Sequence, residues 1–251
     1  MTQEFFFLDN VSCEFNIFSS LKGITLRLEK GENVIIFGTE NSGIDGFCSV
    51  ISGIGGYAGR ILFNGHDLKE LNHIEMNHLR REVVYLQRNH GLISNMTAEE
   101  NIALPLRYHT KLTADEIDAR VNELIEEMHL DYCRDMRPLY LKPSELLKTA
   151  YARSIALNPD LLLIEHPLEG QCLINTITFL KGLKKRCVDE HHSVIIVTYE
   201  PLRFVELADR FIMFDYGKIV FDGTREMMLN PEHDFVKQFL GFSGDGPMHI
   251  L

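Results

Sequence analysis

Gly38-Thr39-Glu40-Asn41-Ser42-Gly43-Ile44-Asp45 is the stretch on which the fold turns. An apolar run over 34–37 precedes it and a helix to about residue 51 is expected to follow, so a strand, a glycine-rich turn and a helix succeed one another. This is the setting of the phosphate loop G-x-x-x-x-G-K-[ST]. There, backbone N–H groups cradle phosphates, the lysine neutralises them and the hydroxyl holds magnesium. Both glycines are in register here, yet Ile44 stands where the lysine belongs and Asp45 where the hydroxyl belongs. Glu40 brings a second carboxylate into the same loop.

Working outward, residues 23–28 alternate as a strand and Lys30-Gly31-Glu32 turns it into the run at 34–37. Residues 60–63 with Asn64-Gly65 predict a strand and tight turn, hence a small antiparallel lobe, and 83–86 a further short strand. Between about 91 and 157 the period becomes helical. Thr97 or Ser94 caps a short helix, and Thr113-Ala114-Asp115-Glu116 opens a longer one with Ile117, Val121, Leu124, Ile125 and Met128 on one face. Ser144 is expected to cap a helix to 157, after which Asn158-Pro159-Asp160 turns into a strand at 161–164. A helix over about 172–189 and buried strands at 194–198 and 211–214 complete an alternation that implies a parallel sheet covered on both faces.

The expected class is α/β: a core over about 1–89 and 157–230 that includes an antiparallel β lobe, a helical subdomain over about 90–156, and a carboxy-terminal arm over 231–251. The arm opens with a short amphipathic helix over 235–240 and places Phe235, Phe239, Leu240 and Phe242 ahead of Gly244, Gly246 and Pro247. Its composition gives these apolar residues nothing local to bury them, so they are expected to pack on a partner.

At 251 residues and 45% apolar composition the chain can bury an ordinary core. Its 25 basic against 36 acidic residues, a formal charge of −11, oppose binding to nucleic acid or anionic headgroups. Cys13, Cys48, Cys133, Cys172 and Cys187 are odd in number with no C-x-x-C pair, which fits a reducing cytoplasm and indicates neither a disulfide framework nor a metal site. No apolar run approaches the roughly 20 residues of a spanning helix. Direct membrane insertion is therefore not expected, and contact with a membrane would go through a partner.

Further motifs lie at fixed intervals from the loop. Leu141-Lys142-Pro143-Ser144-Glu145 precedes Ala152-Arg153 and the run Asn158 through Leu163, and Glu165-His166-Pro167 ends that strand. Gln87 follows the strand at 83–86, Tyr199 follows Val197-Thr198, and Phe15 lies near the start. In this order they resemble the ATP-binding (ABC) subunits of membrane transporters over essentially the whole chain, with the nucleotide-binding fold of the P-loop NTPases. The resemblance implies that Phe15 stacks on adenine, Gln87 belongs to the glutamine loop and residues 141–145 form the signature that meets a partner's ATP. Asn101 to Leu112 (NIALPLRYHTKL), with Val236-Lys237-Gln238-Phe239-Leu240 and Gly244-Asp245-Gly246-Pro247, resembles the ATPase of Mla/Mce-type phospholipid transporters.

The departures fall on one side. Gly38, Gly43, Gln87, Pro159 and Pro167 match the family, whereas Ile44, Asp45, His166 in place of the catalytic glutamate and Tyr199 in place of a switch histidine replace groups that touch phosphate or water, and Glu165 replaces a magnesium-supporting aspartate. A unit charge pair at about 4 Å is worth about 4 kcal/mol at an effective dielectric near 20. Removing the lysine and adding carboxylates is thus expected to leave Mg-ATP binding weak or absent. Thr39, Asn41 and Ser42 complete a vestigial loop, and no catalytic residue or metal site is expected intact. The resulting expectation is a chain that is not an enzyme and takes no cofactor. It would serve assembly and coupling in a lipid transporter beside an active ATPase subunit as a heterodimer, peripheral to the cytoplasmic face through permease subunits that dock at Ser94 and Asn95. A slow but active ATP-hydrolysing subunit is the alternative, and a soluble scaffold without a permease a second one.

Plainer readings stand beside these. His166 is a structural or solvated imidazole rather than a base, and Asp45 a carboxylate near a helix start rather than a magnesium ligand. Lys142 is a solvated loop lysine, Phe15 a core aromatic, His191-His192 a polar turn, and Cys172 an inert thiol.

Overall fold

β1 (Phe6–Glu14) pairs antiparallel with β2 (Ser20–Leu28), with irregularities between Leu8 and Val11 and between Val11 and Cys13. In the computed structural model, which describes residues 5–15, 20–241 and 243–248, β3 (Asn33–Gly38) follows, buried from Val34 onward. Beyond the glycine-rich turn lie the short α1 (Phe47–Ile51), β4 (Ala58–Phe63) and β5 (His66–Asp67). They complete an antiparallel sheet in the order β2-β1-β4-β5. α2 (His73–Glu82), capped reciprocally by Asn72 and Glu75, leads into β6 (Val83–Leu86).

Three helices come next: α3 (Ala98–His109), α4 (Ala114–Glu127) and α5 (Pro143–Ile155). Thr97 and Thr113 each exchange hydrogen bonds with the Glu three residues on, so both helix starts follow from the capping box in the sequence. The expected cap at Ser144 is corrected. Lys142 holds the cap position because Pro143 is placed first in the helix, where a missing N–H costs nothing, and Glu145 accepts from the Lys142 N–H at 2.8 Å.

The chain returns to the core through β7 (Leu161–Glu165), α6 (Ile177–Lys184) with a π turn over Lys185–Asp189, β8 (Ser193–Thr198), β9 (Arg210–Asp215) and β10 (Lys218–Thr224). α7 (Arg225–Leu229) and α8 (Asp234–Gly241) follow. The second sheet has the order β10-β9-β3-β8-β7-β6, parallel except for β10. Each face of this sheet carries its own core. Val34 and Ile36 join Phe47 and the antiparallel lobe, whereas Ile35 and Phe37 join the apolar faces of α3 to α6.

The arm departs from expectation. Phe235, Phe239 and Leu240 pack against the chain's own core, the Phe239 ring meeting Phe37 edge-on at 5.3 Å. Gln238 is buried and bonds both the N–H and the C=O of Met248, at 2.7 and 3.2 Å. The local surface that the arm's composition did not reveal is the helical face of β3. Phe242 lies outside the described residues. No helix among the described residues is long and apolar enough to cross a membrane.

Candidate phosphate site at the strand ends

Because β6, β7, β8 and β3 run parallel, their carboxyl ends share one edge of the sheet. Registers Phe37↔Thr198, Glu165↔Val197 and Leu86↔Ile164 bring four separate segments to that edge. A crevice there is the usual place for a ligand in an α/β sheet. The loop itself needs its two glycines. A Cβ on Gly38 would lie 2.5 Å from the Phe214 carbonyl, and Gly43 has φ 87° with its missing Cβ 2.3 Å from the Ser20 carbonyl. Ser42 is buried and its hydroxyl donates to the Thr39 carbonyl at 2.5 Å. Thr39 and Asn41 are half-buried and Glu40 is exposed.

Ile44 does not face the loop's concavity. It is 1% exposed and belongs to the core beneath the antiparallel lobe. Asp45, by contrast, meets two of the other replaced positions. Tyr199 donates its hydroxyl to both carboxylate oxygens at 2.7 and 2.8 Å, and His166 Nε2 lies 2.9 Å from Oδ1. The His166 and Tyr199 rings stack obliquely at 4.2 Å, and His166 sits in the left-handed region at φ 44° with its N–H on the Val197 carbonyl. The His166 side chain is 1% exposed and Asp45 39%. Partial burial would raise the Asp45 carboxyl, but the bonds from His166 and Tyr199, with the charge of Arg88, outweigh it and hold the group below its ordinary range. Burial and the Asp45 carboxylate push the Tyr199 phenol well up, so it stays a donor.

Glu165 is buried beside this cluster. Its Oε2 accepts from the Tyr85 hydroxyl and, at 3.2 Å, from the Arg88 N–H. Gln87 is exposed next to them. The Arg88 guanidinium pairs with Glu169. Phe15 rests on the helix start: a Cβ on Gly46 would fall 2.2 Å from its ring. Tyr85 and Arg88 are the site residues that sequence reasoning missed. Their signal is position alone, since both lie within two residues of Gln87 at the end of a short strand.

The remaining expected sites lie apart. Leu141 is buried, while Glu145 is buried and bonded by Tyr132 at 2.8 Å, so neither is presented outward. Lys142 and Pro143 are exposed and Ser144 half-buried, with Lys142 Nζ 3.7 Å from Glu145. Ser94 and Asn95 are exposed on a loop pinned from below. Buried Asn101 accepts from the Ile93 N–H at 2.8 Å and donates to the carbonyls of Ile93, Met96 and Thr97.

A glycine-shaped loop after a central strand, a buried acid at the end of a neighbouring strand and a helical insertion together define a nucleotide-binding cassette. The chain belongs to the ABC transporter family, whose pattern it matches over residues 21–169. It is 30% identical to the sulfate/thiosulfate import ATP-binding protein CysA of Nitrosomonas europaea over 93% of this chain and 65% of that one. It is 29% identical to the intermembrane phospholipid transport system ATP-binding protein MlaF of Haemophilus influenzae over 90% of this chain and 86% of that one. Among solved structures, a dimeric ATP-binding cassette in a post-hydrolysis state bound to ADP and Pi has the same fold, with TM-score 0.79 and 22% identity over 88% of this chain and 98% of that one.

Two expectations are corrected by these findings. A chain that is not an enzyme and takes no cofactor does not accord with membership of this family, whose matched relatives are named as ATP-binding proteins. The physical reason lies in what the substitutions leave alone. They change side chains, while the two glycines keep the backbone cradle, and Asp45 and Glu165 are hard oxygen donors of the kind magnesium takes. The residues present therefore fit Mg-ATP at the two glycines and in the type of oxygen donor that Asp45 offers, and depart from it in lacking a cation at position 44.

Proposed function

We propose that this chain is an ATP-hydrolysing subunit of a membrane transporter that turns over slowly. The observation that carries the reading is the glycine-rich loop at the shared edge of β3, β8, β7 and β6, whose two glycines sit where no Cβ fits, with the Asp45 carboxylate at its rim. Bound magnesium would offset charge on the phosphates. The loop's N–H groups would orient those phosphates, Phe15 would offer its ring toward the base, and the Asp45 carboxylate would hold the metal where the family uses a hydroxyl. His166 occupies the place of a water-polarising glutamate, but it is closed off from solvent and engaged by Asp45. A base so held acts only when that contact opens, so slow turnover is the expected outcome.

The transporter reading extends to partners. The exposed loop at Ser94 and Asn95 docks a permease helix on the cytoplasmic side, and a second, different ATPase subunit pairs with the face that carries Lys142. A phospholipid cargo of the Mla/Mce kind is supported by the resemblance at residues 101–112 and 236–247 and by the match to MlaF. The test is phosphate release by the purified complex with its permease. Slow, magnesium-dependent release that Asp45→Ala removes is expected. A complex that binds its permease yet releases no phosphate above a protein-free control would refute the enzymatic reading.

A further inference from the structure

A polyphosphate entering this loop meets the carboxylates of Glu40 and Asp45 and, with Ile44 in the core, no lysine. Such a ligand requires a cation from elsewhere. Arg88 sits at the end of β6 with its backbone N–H on Glu165, at the same edge as the loop. Its charge acts on both Asp45 and Tyr199, so the guanidinium already contributes to the field at the loop's mouth. What holds it now is Glu169, a partner as exposed as itself, at 45% against 44%. Exposed pairs of this kind contribute little to stability and are readily exchanged. A guanidinium also presents a planar fork of donors that suits phosphate oxygens, so it can hold two of them at once.

We propose that Arg88 supplies the positive charge missing at position 44, leaving Glu169 to grip the terminal phosphates of the bound nucleotide. The proposal rests on the nucleotide-binding reading above. It assigns to the segment after Gln87 a role in ligand binding, and to Glu169 the role of a competitor that keeps the cation parked while the loop is empty. Neither residue belongs to the loop in sequence. The parallel sheet alone brings them there.

The test is equilibrium titration of the full-length chain with Mg-ATP and with AMP, followed by calorimetry. Arg88→Ala should weaken Mg-ATP binding by tenfold or more and leave AMP binding within about twofold, since AMP lacks the terminal phosphates. Arg88→Lys should restore most of the loss. Glu169→Gln should strengthen Mg-ATP binding, because it frees the guanidinium, an effect that a merely structural role for the pair would not produce. Equal Mg-ATP affinity in wild type and Arg88→Ala, with unchanged melting curves, overturns the proposal and leaves the nucleotide reading standing. Failure of the wild type to bind Mg-ATP at millimolar concentration would overturn both.

Discussion

Asp45 is the residue at which three substitutions become one structure. Its carboxyl is held below the ordinary value of 3.8 by bonds from His166 and Tyr199 that outweigh its burial. A carboxyl depressed on folding contributes stability that is present above its unfolded pKa and is lost as pH falls through the folded one. The chain should therefore lose part of its stability as pH falls below the ordinary carboxylate range, and Asp45→Asn should flatten that acid limb in melting temperature plotted against pH. An identical limb in the variant would place the acid sensitivity elsewhere, for instance at Glu99 with Arg134. None of this was legible in the sequence. Each replaced position was visible as a departure, but Asp45 meets His166 across 121 residues and Tyr199 across 154, and no periodicity or spacing carries a contact of that range.

Elements were legible where local chemistry decides them. The capping boxes at Thr97 and Thr113 located α3 and α4, and continuous apolar runs located β3, β7, β8 and β9. β1 escaped because its pairing is irregular between Leu8 and Cys13, which breaks the alternation of apolar residues. α2 escaped because Leu79 is the one residue it buries, leaving no apolar stripe to read. α8 is legible as a helix but its packing is not, since nothing local announces that β3 will cover it. Truncation after Asn230 should lower the melting temperature, and Phe239→Ala should cost about 2 kcal/mol in denaturant unfolding, below the value for a fully buried Phe because Phe239 is half-buried. A truncated chain that melts like the parent would return the arm to the role of a partner-binding segment.

At the scale of the molecule, the sheet separates two cores, gathers the glycine-rich loop at one edge and leaves the loop at Ser94 and Asn95, the proposed permease contact, exposed. Asn101 ties the backbone on either side of Ser94 and Asn95 through four hydrogen bonds, which lowers the ordering cost of docking there. Crosslinkers placed at either residue in the native complex should capture a membrane subunit. Capture of soluble chains alone would argue against docking there.

The contact among Asp45, His166 and Tyr199 also bears on how this sequence can change. Asp45→Ser alone withdraws the acceptor from a buried imidazole, at a cost of about 1–3 kcal/mol, and His166→Glu alone sets two carboxylates side by side. Each of these, and Tyr199→His, should melt below the wild type, while the triple variant recovers part of the loss; strictly additive losses would show the positions to be independent. Non-additive losses would mean that any path toward the family pattern crosses a valley in which each first step is penalised, and that the three positions can change only together.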